Sequence, residues 1–113
     1  MNKRGDCYEA AGKYFMDYMN DPCPDNLVLV HAEVAGQSKL AGMTLGHAWV
    51  ENLDTGFAID PSNGRFIALP IPTYRMLAGV DIIRNEHRYT LDELRRNVLT
   101  AGHWGPWELN TNQ

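Results

Sequence analysis

The chain predicts an α+β domain in which an N-terminal helix packs on an antiparallel sheet and a second helix closes the C-terminal end. Three observations carry that expectation. Apolar side chains from Cys7 to Met19 recur at helical spacing. Strand-like runs follow, two of them joined by the turn Asp54-Thr55-Gly56. Thr90-Leu91-Asp92-Glu93 then opens a periodic segment that stops at Gly102. Helices at the two ends with strands between them belong to the α+β class rather than to alternating βα units. At 113 residues, 44% hydrophobic and 21% charged, residues 1–113 read as one soluble globular domain able to bury a core without staples.

In the first helix the apolar positions are Cys7, Ala10, Ala11, Tyr14, Phe15, Tyr18 and Met19, one face of a 3.6-residue period. Asp6 with Glu9 three residues on is a capping box in which Asp stands for Ser or Thr, and Asn20-Asp21-Pro22 ends the helix. Cys7 therefore sits in the first turn, where unpaired N–H groups and the positive end of the helix dipole favour a thiolate. Ala10 and Ala11 on the same face leave room for another element to approach the sulfur. Leu27 to Val34 is apolar and β-branched enough for a buried strand. The Gly-rich stretch 36–46 is either a loop beside a site or a long strand connection.

His47 to Leu53 and Phe57 to Ser62 flank the Asp54-Thr55-Gly56 turn as a hairpin. With the turn centred between Asp54 and Thr55, Asp60 stands opposite Trp49 and shares the sheet face of His47, a diagonal neighbour within side-chain reach. A slip of one residue would turn Asp60 to the other face. After Asn63-Gly64 a further strand runs from Arg65 to Pro70, ended by Pro70 and Pro72, with a short helical turn over Tyr74–Leu77. Val80 to Tyr89 is mixed in polarity and reads as a strand near an edge. The last helix runs through Leu94 and Val98 to Thr100, the aromatic tail from His103 to Leu109 packs down, and Asn110 to Gln113 fray.

The net charge of -4 and a pI near 5.4 leave no basic stripe, which argues against nucleic-acid and anionic-membrane partners. Gly5-Asp6 stands where a signal peptide would place its apolar core, and no run approaches membrane-spanning length, so a cytoplasmic protein is expected. Its two cysteines, Cys7 and Cys23, are then expected reduced, Cys23 as a surface or packing residue in a proline-bracketed loop.

A cysteine at a helix start, a histidine opening one strand and an aspartate near the end of the next form a Cys-His-Asp constellation for acyl transfer. The thiolate attacks a carbonyl, His47 protonates the leaving amine, and Asp60 fixes the ring tautomer. Each residue also has a plain reading: Cys7 as a small core residue, His47 as a satisfied strand histidine, Asp60 as a turn residue of the Asp-Pro-Ser-Asn corner. Trp49 shares the face of His47 and either shields the pair, serves as a substrate or oxyanion contact, or simply fills the core. His31 and His103 with His47 and Cys7 make a conceivable zinc set, but no tight ligand spacing is present, so neither metal nor cofactor is expected.

Gly5-Asp6-Cys7 opening a helix, His47-Ala48-Trp49-Val50-Glu51 on a strand and Asp60-Pro61-Ser62 after it together resemble the core of the transglutaminase-like branch of papain-like cysteine enzymes. The resemblance covers the chain up to Pro70 and implies Cys7 as nucleophile, His47 as base and Asp60 as orienting acid. Papain-like enzymes commonly carry an oxyanion donor several residues before the cysteine, a role for which Asn2 is the only amide present. A minimal core of this kind implies a cysteine hydrolase or acyltransferase acting on a peptide, protein or amide-containing small molecule. A non-catalytic binding or inhibitory module on the same scaffold is the alternative.

Overall fold

The computed structural model describes residues 6–19, 26–35, 44–62, 66–78 and 84–108. The elements, in chain order, are α1 (Asp6–Met19), β1 (Leu27–Ala35), β2 (Thr44–Asn52), β3 (Phe57–Asp60), β4 (Ile67–Pro70), α2 (Ile71–Leu77), β5 (Arg84–Tyr89) and α3 (Leu91–Ala101). The five strands form one sheet in the order β4-β3-β2-β1-β5, each neighbouring pair antiparallel. The α+β expectation therefore holds, and β5 is an edge strand as its mixed polarity suggested.

Strand alternation divides the core in two. Ala48 pairs with His31 and Val50 with Leu29, and these residues face α1 and α3 in a cluster with Tyr8, Ala11, Phe15 and Leu94. On the opposite face, Trp49 pairs with Val30, and with Ala32, Val34 and Ala58 it packs against Tyr74 of α2. Both faces of β1 and β2 are covered, which is why the β1 sequence is apolar without a break at Leu27–Val30. Removing a fully buried ring such as Phe15 would cost about 3–5 kcal/mol.

Local chemistry explains most boundaries. Thr90 Oγ1 accepts from the Glu93 N–H while Glu93 Oε1 accepts from the Thr90 N–H, and Gly102 ends α3 at φ 79°, where a side chain would be strained. In the β2–β3 turn, Asn52 Oδ1 accepts from the N–H groups of Asp54 and Thr55, and Gly56 takes φ 79°. None of the described helices is long and apolar enough to cross a membrane.

Two expectations need correction. Thr44 to Gly46 belong to β2 rather than to the preceding loop, because they continue the β1 ladder opposite Ala35 to Glu33. The helical turn expected at Tyr74 begins earlier, at Ile71, and Pro72 starts this helix instead of ending a strand; a proline in the first turn lacks only an N–H that would go unpaired there. The strands expected at Val80–Tyr89 and Arg65–Pro70 are present as β5 and β4, while residues 80–83 and Arg65 lie outside the described residues. Residues 36–43, Cys23, Asn110 to Gln113 and the Asp6 side chain with its expected cap lie outside the described residues, while Glu9 pairs with Lys13 one turn on.

The aromatic tail packs down as expected. Trp107 lies 5.1 Å from Tyr89, ring centre to ring centre, and Trp104 covers Gly12 so closely that a Cβ there would sit 2.6 Å from its Cε3. On an open helix surface Gly12→Ala would stabilise by about 1 kcal/mol. Under Trp104 it is expected to destabilise instead, by about 1–3 kcal/mol of overpacking. Urea unfolding of Gly12→Ala, Trp104→Ala and the double variant checks this: the alanine should harm the wild-type background and help the Trp104→Ala one, and a gain in both contradicts the seating of Trp104 on α1.

Candidate functional site

The hairpin register places the site. Val50 pairs with Ile59 and Glu51 with Ala58, so one further step sets Asp60 against Trp49, as the turn chemistry implied. Asp60 ends β3, whereas β2 continues back to Thr44, so His47 lies on a stretch of β2 that β3 does not cover. From there His47 Nε2 reaches Asp60 Oδ2 at 2.9 Å. The carboxylate of an ionised Asp can only accept, so Nε2 carries the proton and donates. Nδ1 is left as the ring nitrogen for Cys7, a free and partly buried thiol in the first turn of α1, whose side chain is hydrogen-bonded to His47. Cys7, His47 and Asp60 are thus brought together from α1, β2 and β3.

Asp60 is itself held from four directions. Oδ1 accepts from Ser62 Oγ at 2.7 Å and from the Ser62 N–H at 3.2 Å, closing the Asp-Pro-Ser corner. Oδ2 accepts from the Tyr74 hydroxyl at 2.7 Å as well as from His47. The plain reading of Asp60 as a turn residue and its reading as partner of His47 are therefore both correct, one for each oxygen. Burial alone would raise its pKa, but the hydrogen bonds and charge of His47, with Ser62 and Tyr74, hold it well below the usual carboxylate range. Burial alone would likewise strip the proton from His47. The hydrogen bonds to Asp60 and Cys7 and their charge outweigh it and push the imidazole up to about 10.

Trp49 requires a correction. It is fully buried and its N–H donates to Glu51 Oε2 at 3.0 Å, so it neither faces a substrate nor offers an oxyanion donor. Its ring stacks on His47, 6.0 Å between centres and 30° between planes, which is the shielding role. Glu51, 2% exposed, would be costly to bury unpaired. It accepts from Trp49, from Arg75 Nε at 2.8 Å and from Arg88 Nη1 at 3.1 Å. Arg75 forks onto both oxygens of Glu86, which also meets Arg88, so two guanidinium groups and two carboxylates tie α2 to the sheet.

The other histidines lie apart from this centre. His31 points to the opposite face, enclosed by the rings of Tyr8, Tyr89 and Trp107, and burial with His87 nearby lowers it to about 3. His103 is exposed and accepts from the Gly105 N–H. No three His, Cys, Asp or Glu side chains among the described residues are grouped as metal ligands. Asn2 lies outside the described residues. Sequence reasoning missed Tyr74, Arg75, Glu86 and Arg88, which come from a helix and strand far along the chain. Ser62 was legible as part of the Asp-Pro-Ser corner.

Compared with known proteins, the chain matches no family model, no curated protein and no solved structure.

The His47–Asp60 contact links stability to pH in two directions. Because the folded imidazole titrates above its ordinary 6.5, its contribution is complete below pH 6.5 and lost as pH rises toward about 10. Because the folded carboxyl titrates below its ordinary 3.8, its contribution is complete above that value and lost as pH falls. The difference in urea midpoint between wild type and His47→Gln is expected to be constant just below pH 6.5 and to shrink from there toward pH 10. A difference that widens over that interval contradicts a protonated, paired His47.

Proposed function

We propose that this protein is a cysteine-dependent acyl hydrolase or acyltransferase of the transglutaminase-like kind, acting on a peptide, isopeptide or other amide through Cys7, His47 and Asp60. One observation carries the reading: a single imidazole is hydrogen-bonded to a thiol at a helix start and, through Nε2, to a buried carboxylate saturated with donors. A proton on His47 beside the Cys7 sulfur supports the thiolate–imidazolium pair that such chemistry uses.

The Cys7 thiolate attacks the substrate carbonyl carbon, and the carbonyl π electrons move to oxygen to form an oxyanion. The first-turn N–H groups of α1, unpaired within the helix, include the backbone N–H of Cys7 as an oxyanion donor. Collapse of this intermediate breaks the C–N bond, and the Nδ1 proton of His47 passes to the leaving amine. The acyl group remains as a thioester on Cys7. Water then attacks with His47 taking its proton, releasing a carboxylic acid, or an amine attacks in the same way and a new amide leaves; in either route the C–S bond breaks and the Cys7 thiolate returns beside a protonated His47. Throughout, Asp60 holds Nε2–H and Trp49 covers the ring from the side.

The acidic net charge supports neither nucleic acid nor an anionic membrane as partner, and we place the protein in the cytoplasm, where its thiol stays reduced. Asn2 is the side chain proposed as second oxyanion donor.

Iodoacetamide alkylation with peptide mass mapping tests the assignment. Cys7 is expected to react at least about tenfold faster than Cys23 near neutral pH, and His47→Ala to remove that advantage. A library of electrophilic amide mimics should label Cys7, and Cys7→Ala should abolish turnover of the captured class while the far-UV circular dichroism stays unchanged. Equal, slow alkylation of both cysteines would instead favour a non-catalytic binding module on this scaffold.

A further inference from the structure

Within the site, Tyr74 is the group whose presence the chemistry above does not use. Its ring is already accounted for: Tyr74 is 6% exposed, lies 5.3 Å from Trp49 between ring centres, and belongs to the cluster on the α2 face of the sheet. Phenylalanine would serve that packing equally well. The hydroxyl does something further, because it donates at 2.7 Å to Asp60 Oδ2, the same oxygen that receives His47 Nε2 at 2.9 Å. Ser62 occupies the other oxygen with both its N–H and its hydroxyl.

We propose that Tyr74 is a positioning residue that sets the acid strength of His47 through Asp60: by sharing Oδ2, its hydroxyl draws carboxylate charge away from the imidazole, so that the ring can release its proton to a leaving group. A carboxylate that delivers all its charge to an imidazolium makes the ring a poor acid, and a second donor on the same oxygen weakens that hold. The titratable groups facing the imidazole are Cys7 from α1 and Asp60 from β3, while Tyr74 of α2 acts one step behind, with Glu51 of β2 behind it in turn. Burial, then the neighbouring Asp60, keep the phenol protonated far above its ordinary range, so it stays a donor.

Its placement is enforced rather than incidental. The next residue, Arg75, is bound through Nε to Glu51 and through both terminal nitrogens to Glu86, and its guanidinium stacks 5.7 Å from the Trp49 ring. That clamp fixes the one short helix from which the hydroxyl can reach Oδ2. The Glu51 network on the sheet face thereby has a bearing on the site although none of its members touches His47 except through Trp49.

The proposal rests on the reading of Cys7 as nucleophile, and the experiment separates the two. The His47 ring is titrated by nuclear magnetic resonance in the wild-type chain, in Tyr74→Phe, and in a chain carrying 3,5-difluorotyrosine at position 74, which keeps the ring while strengthening the donor. Cys7 alkylation is followed in the same samples, with Cys23 as internal reference. The His47 midpoint is expected to move up by about one pH unit in Tyr74→Phe and down in the difluorotyrosine chain. A role in packing alone moves neither. Rapid Cys7 alkylation with an unmoved midpoint in both chains overturns the role of Tyr74 and leaves the nucleophile assignment standing. Slow wild-type alkylation of Cys7 overturns that assignment, and the role of Tyr74 with it. If Tyr74→Phe fails to fold, the difluorotyrosine chain decides by itself.

Discussion

The constraint on which the rest of this structure depends is the saturation of one buried carboxylate. Asp60 has two donors on each oxygen, from His47 and Tyr74 on one and from the Ser62 backbone and hydroxyl on the other. A buried charge is tolerable only when paired and hydrogen-bonded, and here the donors come from β2, from α2 and from the corner after β3. Those pieces are therefore committed to one relative position. The imidazole is held in one orientation as a by-product, with its second nitrogen left for the thiol.

The sheet separates this polar arrangement from the larger apolar core. Face one carries α1, α3 and the aromatic tail around Phe15, Leu29 and Leu94, and supplies the bulk of the buried hydrocarbon. Face two carries α2 over Trp49 and Tyr74 with Glu51 and its arginines at its margin. Cys7 rides on an element of the first face and His47 on the second. They meet where β2 runs on beyond the end of β3, which makes the short length of β3 a condition of the site. A longer β3 would pair with the backbone around His47 and occupy that edge.

His31 and His47 show how far environment governs a single residue type. One strand position apart in pairing, with His31 opposite Ala48 and Ala32 opposite His47, they fall on opposite faces. His31 sits among aromatic rings, with neither ring nitrogen partnered among the described residues, and is driven neutral; His47, with a carboxylate and a thiol, is driven charged. Burial disfavours the charge on both rings; what separates them is that the face of His47 supplies a carboxylate and a thiol to outweigh it and the face of His31 does not.

How much of this was legible in the chain itself follows physical range. Periodicity placed α1, capping chemistry bounded α3, and the Asp54-Thr55-Gly56 turn set the β2–β3 register, from which the side-by-side placement of His47 and Asp60 followed. All of these are interactions within a few residues. The sequence by itself thus determined the α+β class and the pairing of imidazole with carboxylate, because local backbone preferences and strand alternation suffice for both. Only the tertiary structure decided that Tyr74 would share the Asp60 oxygen, that Trp49 would turn its N–H to a buried Glu51, and that Arg75 and Arg88 would neutralise that charge. Each of these joins residues whose meeting depends on where α2 and β5 dock, and docking is set by the summed shape and charge of two faces, which no local pattern encodes.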